Sequence, residues 1–242
     1  MGKKVLMIDG SHRRKNTYNL LLQIEKILKA RDIETEIVNL FDYEIKDCMG
    51  CETCVTHSGC SQTDAMPDLL QKLLDSDGVI FSSPVYMSCV TSKFKTFADR
   101  LNILIHKPKT AGKPVMFVST TNSTGLKEVN QFYHSLVNGF GMRKGEFVSR
   151  AGKKMADPVT EKEIAGFISL LEKDKKDYAP SMGEIVMFNV GKVLALKSTG
   201  DDKNFWEENG WIDKKYYYPC KMNLCKKLFG NFMFNVLTNA MR

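Results

Sequence analysis

The sequence predicts an α/β fold in which five parallel strands form one sheet with helices on both faces. Short apolar runs, each followed by small polar residues, recur along the first two thirds of the chain and are typical of buried strands. The segments between these runs carry apolar residues at helical spacing. Regular alternation of strands and helices favours right-handed crossovers, and therefore a doubly wound parallel sheet.

The predicted strands follow from the apolar runs. The first run, KVLMI, stops at Asp9, Gly10 and Ser11, and the later runs GVIF and PVMFV stop at serines. Residues 33–40 instead alternate apolar and polar side chains, as a half-buried strand does. The five predicted strands are residues 4–8, 33–40, 78–81, 114–118 and 145–149.

The predicted helices lie after the strands. The apolar side chains of the first recur at the spacing of one helix face, at Leu20, Leu21, Ile24, Ile27 and Leu28. Thr63 or Asp64 is the expected cap of the second helix. The five predicted helices are residues 17–30, 65–74, 92–105, 126–138 and 160–171. Five strands connected in this way fit a flavodoxin-like sheet with the strand order 2-1-3-4-5.

Composition and charge indicate a globular protein with anionic partners. The chain has 242 residues, of which 43% are hydrophobic and 26% charged, and a formal net charge of +7. This charge favours phosphates, nucleotides or an acidic protein, although scattered lysines also suit an ordinary solvated surface. The sequence contains no nucleic-acid-binding motif, no apolar run long enough for a transmembrane segment and no signal-peptide core. We therefore expect a cytoplasmic protein whose thiols stay reduced.

The sequence changes character near residue 176. Residues 1–175 carry the strand and helix pattern and form the predicted sheet domain, and residues 174–180 are expected to be a hinge. Residues 176–242 hold both tryptophans and end in a helix-like apolar stripe at Leu228, Phe232, Val236 and Leu237. A segment of this length is too short to be a secure independent domain. We expect an extension that packs on the sheet domain or a partner subunit rather than on a membrane surface.

Three loops at one edge of the predicted sheet are candidates for a binding site. In a sheet of this order, ligands bind beyond the carboxyl ends of strands 1 and 3. The loop after strand 1 is rich in donors and leads directly into a helix, whose N-terminus attracts anions. An ordinary capped helix after a polar turn would show the same pattern, and the loop has neither a P-loop nor a G-x-G-x-x-G motif. The candidate anion-binding residues are Ser11, Arg13, Asn16 and Thr17.

The loops after strands 3 and 4 border the same crevice. The first is a short turn that can offer backbone N–H groups to the edge of a flat ring and side chains to its face. Its candidate residues are Pro84, Val85, Tyr86 and Met87. The second is rich in hydroxyl and amide groups, at Ser119, Thr120, Thr121 and Asn122. A plain loop whose aromatic side chain covers the core is the alternative for the first of these loops.

Four of the seven cysteines form a C-x2-C-x2-C-x5-C motif, at Cys48, Cys51, Cys54 and Cys60. In a reducing compartment such a group favours metal ligands or redox thiols over a structural disulfide. Four thiolates in a compact loop can hold a [4Fe–4S] cluster. The alternatives are metal-free thiols, a disulfide formed in air, and zinc, although structural zinc sites usually pair two separated C-x2-C units. We expect Cys89, Cys220 and Cys225 to be structural.

These motifs occur in a combination that resembles a known family. G-S-x-R followed by N-T, S-P-V-Y with F-K-x-F-x-D-R, and the cysteine motif resemble the flavodoxin-fold NAD(P)H-dependent FMN reductases, and most of all their iron–sulfur flavoprotein branch. The chain departs from the family at His12, where a proline is usual, and in the missing glycine before Asn16. It also has one acid, Asp64, where an acidic pair is usual.

The resemblance implies FMN as the cofactor, with its phosphate at the first loop and its isoalloxazine ring against residues 84–87 and 119–122. It also implies NAD(P)H as co-substrate, a [4Fe–4S] cluster on the four clustered cysteines, and a homodimer or homotetramer. No catalytic side chain is predicted, because a flavin does the chemistry once it is oriented.

We predict an FMN-dependent oxidoreductase that passes electrons between NAD(P)H or a one-electron carrier and an acceptor, with the cluster as an intermediate carrier. A ferredoxin-like acidic partner would suit the basic surface. The alternative is a flavodoxin-like electron-transfer protein that does not itself oxidise NAD(P)H.

Overall fold

The computed structural model describes residues 2–57, 59–198 and 200–240. Five strands form one sheet in the order β2-β1-β3-β4-β5, and each neighbouring pair is parallel. The predicted fold class and strand order are therefore confirmed. The strands are β1 (Lys4–Asp9), β2 (Glu34–Asn39), β3 (Gly78–Pro84), β4 (Pro114–Thr121) and β5 (Arg143–Ala151).

Helices cover both faces of the sheet and build the C-terminal segment. They are α1 (Asn16–Lys29), α2 (Thr53–Thr56), α3 (Met66–Asp75), α4 (Ser92–Arg100), α5 (Ile103–His106), α6 (Leu126–Phe140), α7 (Ala165–Glu172), α8 (Met182–Lys197), α9 (Asp201–Glu208) and α10 (Leu224–Ala240). The predicted helix 92–105 was wrong as a single helix, because α4 ends at Arg100 and α5 starts at Ile103. The cap position of α3 is Ala65 and not Thr63 or Asp64 as predicted, although Asp64 accepts the backbone N–H of Met66 at 3.0 Å.

Four strands, β1, β3, β4 and β5, are longer than the sequence predicted. The polar residues that follow the apolar runs stay in the ladder, so that Ser82 pairs with Asp9 and Ser83 with Ser119. Apolar side chains of the same strands alternate between two cores, one under α3, α4 and α6 and one under α1 and α7. The carboxyl ends of β1, β3 and β4 are therefore polar inside a rigid sheet, which is where the predicted crevice lies.

The C-terminal segment has its own aromatic core. Trp206 packs with Phe188, Trp211 and Tyr217, and a side chain at Gly191 would meet the Trp206 ring at 2.7 Å. The indole N–H of Trp206 donates to the carbonyl of His106 at 2.8 Å, which ties this core to the end of α5. No helix within the described ranges is long and apolar enough to cross a membrane.

Helix α10 packs on α8 and leaves its outer face exposed. Leu224, Leu228 and Phe232 are 71%, 59% and 62% exposed. Cys225, at the start of the same helix, is exposed as well. The expectation of a structural role for this cysteine does not hold, because a buried position was the basis for it.

Candidate functional site

A cleft lies at the carboxyl ends of β1, β3 and β4, where the sequence predicted it. Its volume is about 230 Å³, and residues of all three predicted loops line it. Of the twelve predicted residues, Met87 and Ser119 do not line the cleft, because the first lies at an exposed turn and the second is buried in β4. The lining residues are Ser11, His12, Arg13, Lys15, Asn16, Thr17, Pro84, Val85, Tyr86, Thr120, Thr121, Asn122 and Met155.

The start of α1 forms the polar end of this cleft. Lys15 occupies the cap position, and no side chain in the described chain caps the helix. The first N–H groups of α1 therefore face the cleft without a partner from a capping side chain, and no acidic side chain lies in the first turn. Arg13 also lines the cleft and forms no hydrogen bond or ion pair with another described residue. Its guanidinium is the second cationic group here, after the ammonium of Lys15. Backbone donors, a helix dipole and two cationic side chains together suit a phosphate.

The loop before α1 is held by a buried network centred on Asp9. The Asp9 carboxylate accepts hydrogen bonds from the Ser11 N–H at 3.0 Å, the Ser11 hydroxyl at 2.9 Å and the Asn39 amide at 2.7 Å. Burial raises the pKa of Asp9 above its ordinary value, while these hydrogen bonds act in the opposite direction. The network fixes the direction of Ser11 and of the backbone that leads to the polar end of the cleft.

The loop after β3 is a tight turn with a strained backbone. Tyr86 and Cys89 exchange backbone hydrogen bonds of 2.8 and 2.9 Å, and the two residues between them, Met87 and Ser88, have φ angles of 48° and 59°. A two-residue turn of this kind places both central residues in the left-handed region, which costs energy for residues other than glycine. Tyr86 is 47% exposed and Met87 is 99% exposed, so the turn presents side chains to solvent at the mouth of the cleft.

Gly125 allows the loop after β4 to approach this turn. Its φ angle is +95°, and a Cβ atom there would lie 2.5 Å from Val85 Cγ1 and 3.0 Å from Ser88 Cα. The backbone N–H of Val85 also donates to the carbonyl of Thr120 at 2.9 Å. The two loops are therefore in direct contact. This contact fixes the width of the cleft at the end opposite α1, here called the ring end.

Sequence reasoning missed three lining residues, His12, Lys15 and Met155. The first two belong to the donor-rich loop and are close to its predicted residues. His12 lies edge-on to Phe41, with ring centroids 4.8 Å apart, in the place where the family usually has proline. Met155 follows β5, and a rule that all carboxyl ends meet at one edge would have included the segment after this strand.

The residues of the cleft fit an FMN molecule. The polar end has the donors and charges that a phosphate ester needs, and the opposite end has a proline, an aromatic residue and backbone groups at a fixed spacing for a flat ring. The hydroxyl of Thr17 is bonded to that of Thr120 at 2.6 Å, so Thr17 would contact a phosphate through its N–H rather than its hydroxyl.

The four clustered cysteines lie in a loop of residues 47–63, here called the thiol loop. Cys48, Cys54 and Cys60 line a second cavity of about 260 Å³. Cys51 does not line this cavity, and the residues on either side of it, Gly50 and Glu52, have left-handed backbones. Hydrogen bonds with Ser61 and Thr53, each of 3.3 Å, lower the pKa of Cys51 to about 7. Burial raises the pKa of Cys54.

The thiol loop meets the chemistry of a [4Fe–4S] site but not yet its geometry. Four cysteine thiols are the usual donor set of such a cluster. Among the described residues, however, no group of three or more potential ligands is arranged to hold a metal ion. Ligation by all four cysteines would require their thiols to move closer together, including that of Cys51.

The base of the thiol loop is closed by a buried ion pair. Arg100, from the F-K-x-F-x-D-R motif, binds both carboxylate oxygens of Asp64 at 2.5 and 3.1 Å, and the two side chains are 1% and 0% exposed. Arg100 also donates to the carbonyl of Lys46 at 2.8 Å, while Asp64 accepts the N–H of Lys46. Burial acts to raise the pKa of Asp64, but the guanidinium and the backbone N–H groups hold it below its ordinary value.

The sheet order and the cleft at its switch point are those of a flavodoxin-like α/β protein. Residues 3–151 match the family model of the NADPH-dependent FMN reductases. The chain belongs to this family of oxidoreductases.

Curated relatives carry one common description, iron–sulfur flavoprotein. One from Archaeoglobus fulgidus is 29% identical over 222 residues, which cover 86% of this chain and 100% of the relative. One from Clostridioides difficile is 27% identical over 227 residues, covering 86% and 99%. Another from A. fulgidus is 39% identical, but its match covers only 40% of this chain and 48% of the relative. These similarities support the predicted branch of the family.

Solved structures share the fold at low identity. RosB, solved with bound 8-demethyl-8-formylriboflavin-5'-phosphate, has a TM-score of 0.55 and 15% identity, and the match covers 92% of each chain. A flavone reductase has a TM-score of 0.53 and 19% identity, over 69% of this chain and 60% of its own. The RosB match extends through most of this chain, so the fold similarity includes much of the C-terminal segment.

Proposed function

We propose that this protein is an FMN-dependent oxidoreductase that passes electrons between NAD(P)H or a one-electron carrier and a second acceptor. The observation that carries the proposal is the cleft at the switch point, which has an uncapped helix start at one end and the Pro84–Tyr86 turn at the other. FMN would occupy it with its phosphate at α1 and its ring against that turn. Membership of the family supports the same assignment.

The residues of the cleft would bind and orient the cofactor rather than take part in bond making. Arg13, Lys15 and the N–H groups of Asn16 and Thr17 would hold the phosphate. The Pro84–Tyr86 turn and residues 120–122 would hold the ring edge. FMN supplies the hydride chemistry. Because Tyr86 and Met87 are exposed at the mouth, NAD(P)H and the acceptor would approach the same open face in turn, which gives ping-pong kinetics.

A [4Fe–4S] cluster on Cys48, Cys51, Cys54 and Cys60 is the second part of the proposal. The descriptions of the curated relatives and the convergence of three of these thiols on one cavity support it. Such a cluster carries single electrons, and the net charge of +7 would suit an acidic, ferredoxin-like partner. Zinc and metal-free thiols are the competing states. We also propose a cytoplasmic location and a homodimer or homotetramer, which light scattering after size exclusion can test.

The first experiment is an absorption spectrum with iron and acid-labile sulfide assays on protein purified without oxygen. If the cleft holds FMN, the spectrum will contain flavin absorption bands. If the thiol loop holds a [4Fe–4S] cluster, the assays will find about four irons per chain. Stopped-flow mixing with NADH and NADPH then follows flavin bleaching. Bleaching that is too slow to support turnover would instead favour an electron-transfer protein that does not oxidise NAD(P)H, and absence of flavin after reconstitution would refute the proposal.

A further inference from the structure

A buried lysine closes the end of the short helix that carries Cys54. Lys107 is 3% exposed, and its ammonium group donates to the carbonyls of Cys54, Val55 and His57 at 3.3, 3.4 and 2.7 Å. An ammonium has three donors, and here the three acceptors are two carbonyls of α2 and that of its C-cap residue, His57. A cation at this position stabilises the unpaired carbonyls of the helix end.

The charge of Lys107 is balanced by the C-terminal segment. Asp202 on α9 is 2% exposed, and its Oδ1 lies 3.2 Å from the Lys107 ammonium as an ion pair without hydrogen-bond alignment. Its other oxygen, Oδ2, lies 2.9 Å from Nδ1 of His106. The Trp206 bond to the carbonyl of His106 fixes the same corner. Burial of a charge is costly unless it is paired, so Asp202 is what allows Lys107 to stay inside.

We propose that Lys107 and Asp202 are positioning residues for the thiol loop, and that holding this loop is a function of the C-terminal segment. This inference rests on the proposed function, in which the thiol loop is an electron-transfer site. The Arg100–Asp64 ion pair holds the two ends of the thiol loop together. The Lys107–Asp202 ion pair holds the middle of the loop, at α2. Between these two points, Asn102 directs its amide toward Cys54 Sγ at 4.0 Å.

Loss of the Lys107–Asp202 ion pair is expected to change the structure only locally. Without Asp202, Lys107 would either stay buried with unbalanced charge or leave for solvent and unpair the carbonyls of α2. In both cases α2 loses its anchor, and Cys54 moves out of its half-buried position. Cys51 is already exposed, so its accessibility has little room to increase.

The test is pulse alkylation with N-ethylmaleimide of the full-length, reduced and metal-free protein, followed by peptide mass spectrometry. We expect Asp202→Asn and Lys107→Met to raise the modification rate of Cys54 about tenfold, since the first removes the counterion of a buried ammonium and the second removes the ammonium that donates to the carbonyls of α2. Asp201→Asn, the neighbouring carboxylate on α9, is the matched control and should leave the rate unchanged. Lys107→Arg keeps the charge and should restore part of the protection.

The alkylation rate of Cys220 tests the alternative that the variants destabilise the whole protein. It packs against the aromatic core of the C-terminal segment, and its rate should stay within about twofold of wild type if the effect is local. An unchanged Cys54 rate, or equal increases at Cys54 and Cys220, would overturn the inference. FMN titration of the wild type tests the proposed function separately, since alkylation rates do not depend on flavin.

Discussion

The hydroxyl groups of Thr17 and Thr120 lie 2.6 Å apart in the interior of the protein. Thr17 belongs to the first turn of α1 and Thr120 to the carboxyl end of β4, so this contact joins the polar end of the cleft to its ring end. Both residues are almost fully buried, at 2% and 4% exposure. This hydrogen bond is therefore a direct side-chain link between the two ends of the cleft.

Thr120→Val is expected to weaken FMN binding about fivefold, because a buried hydrogen bond of this kind contributes about 1 kcal/mol. Quenching of flavin fluorescence on titration of the apoprotein measures the dissociation constant. Thr238→Val is the matched control, because the Thr238 hydroxyl bonds only to the carbonyl of Phe234 on its own helix, α10. Equal affinities of the Thr120 variant and wild type would show that the contact does not organise the cleft.

Gly125→Ala is expected to destabilise the protein by about 2–4 kcal/mol and to weaken FMN binding, because the new Cβ combines a strained backbone with a clash against Val85. Urea unfolding and FMN titration measure the two effects. Gly50→Ala is the control, since Gly50 has a φ of +63° but nothing within 4 Å of its Cβ position. Adding Val85→Ala to Gly125→Ala should recover part of the loss, and strict additivity of the two changes would refute the clash.

Arg100→Met is expected to cost about 3–5 kcal/mol in the free energy of unfolding, because it leaves the Asp64 carboxylate buried without its partner. The variant should also expose the base of the thiol loop to proteases. Lys95→Met on the same helix is the control, because its ion pair with Asp99 is about half exposed and should cost under about 1 kcal/mol. Similar unfolding midpoints for the two variants would contradict the structural role of Arg100.

Glu163→Gln is expected to remove part of the acid sensitivity of the protein. Hydrogen bonds from Arg150 first, and from Thr160, lower the pKa of Glu163 to about 2 from an ordinary value of 4.5. A depressed carboxyl pKa contributes stability above the unfolded value and loses it as the pH falls through the folded value. The wild type should therefore lose more stability than the variant between about pH 4.5 and pH 2.

Urea unfolding at pH 6 and pH 3 is the measurement for this prediction. Glu172→Gln, at the end of α7, serves as the control and should follow the wild type at both pH values. If the free energy of unfolding has the same pH dependence in the wild type and in the Glu163 variant, the contact of Glu163 with Arg150 does not persist in solution.

The strand order was predictable because apolar runs and their crossovers leave few arrangements of a parallel sheet. The cleft followed from the same order, since parallel strands bring the loops after β1, β3 and β4 to one edge. The ends of β3 and β4 were misjudged because Ser83 and Ser119 are polar yet pair within the sheet. Polarity alone does not end a strand whose backbone partners continue.

Contacts between distant parts of the sequence were beyond prediction. Nothing in the sequence near Lys107 indicates that it closes α2, and nothing near Asp202 indicates that it balances the charge of a lysine far away in the sequence. Arg100 was noticed as part of a family motif, but its role became apparent only from its contact with Asp64. These side chains are charged and would ordinarily be placed on the surface.

The distance in sequence between the thiol loop and Asp202 sets an order of events during synthesis. The four clustered cysteines leave the ribosome well before α9 is made. Until α9 has been translated and has docked, Lys107 lacks its counterion and α2 lacks its anchor. If Asp202 has the proposed role, a nascent chain that ends before this residue would hold the thiol loop only at its base, through Arg100 and Asp64, and would expose Cys54 more readily to oxidants and metals.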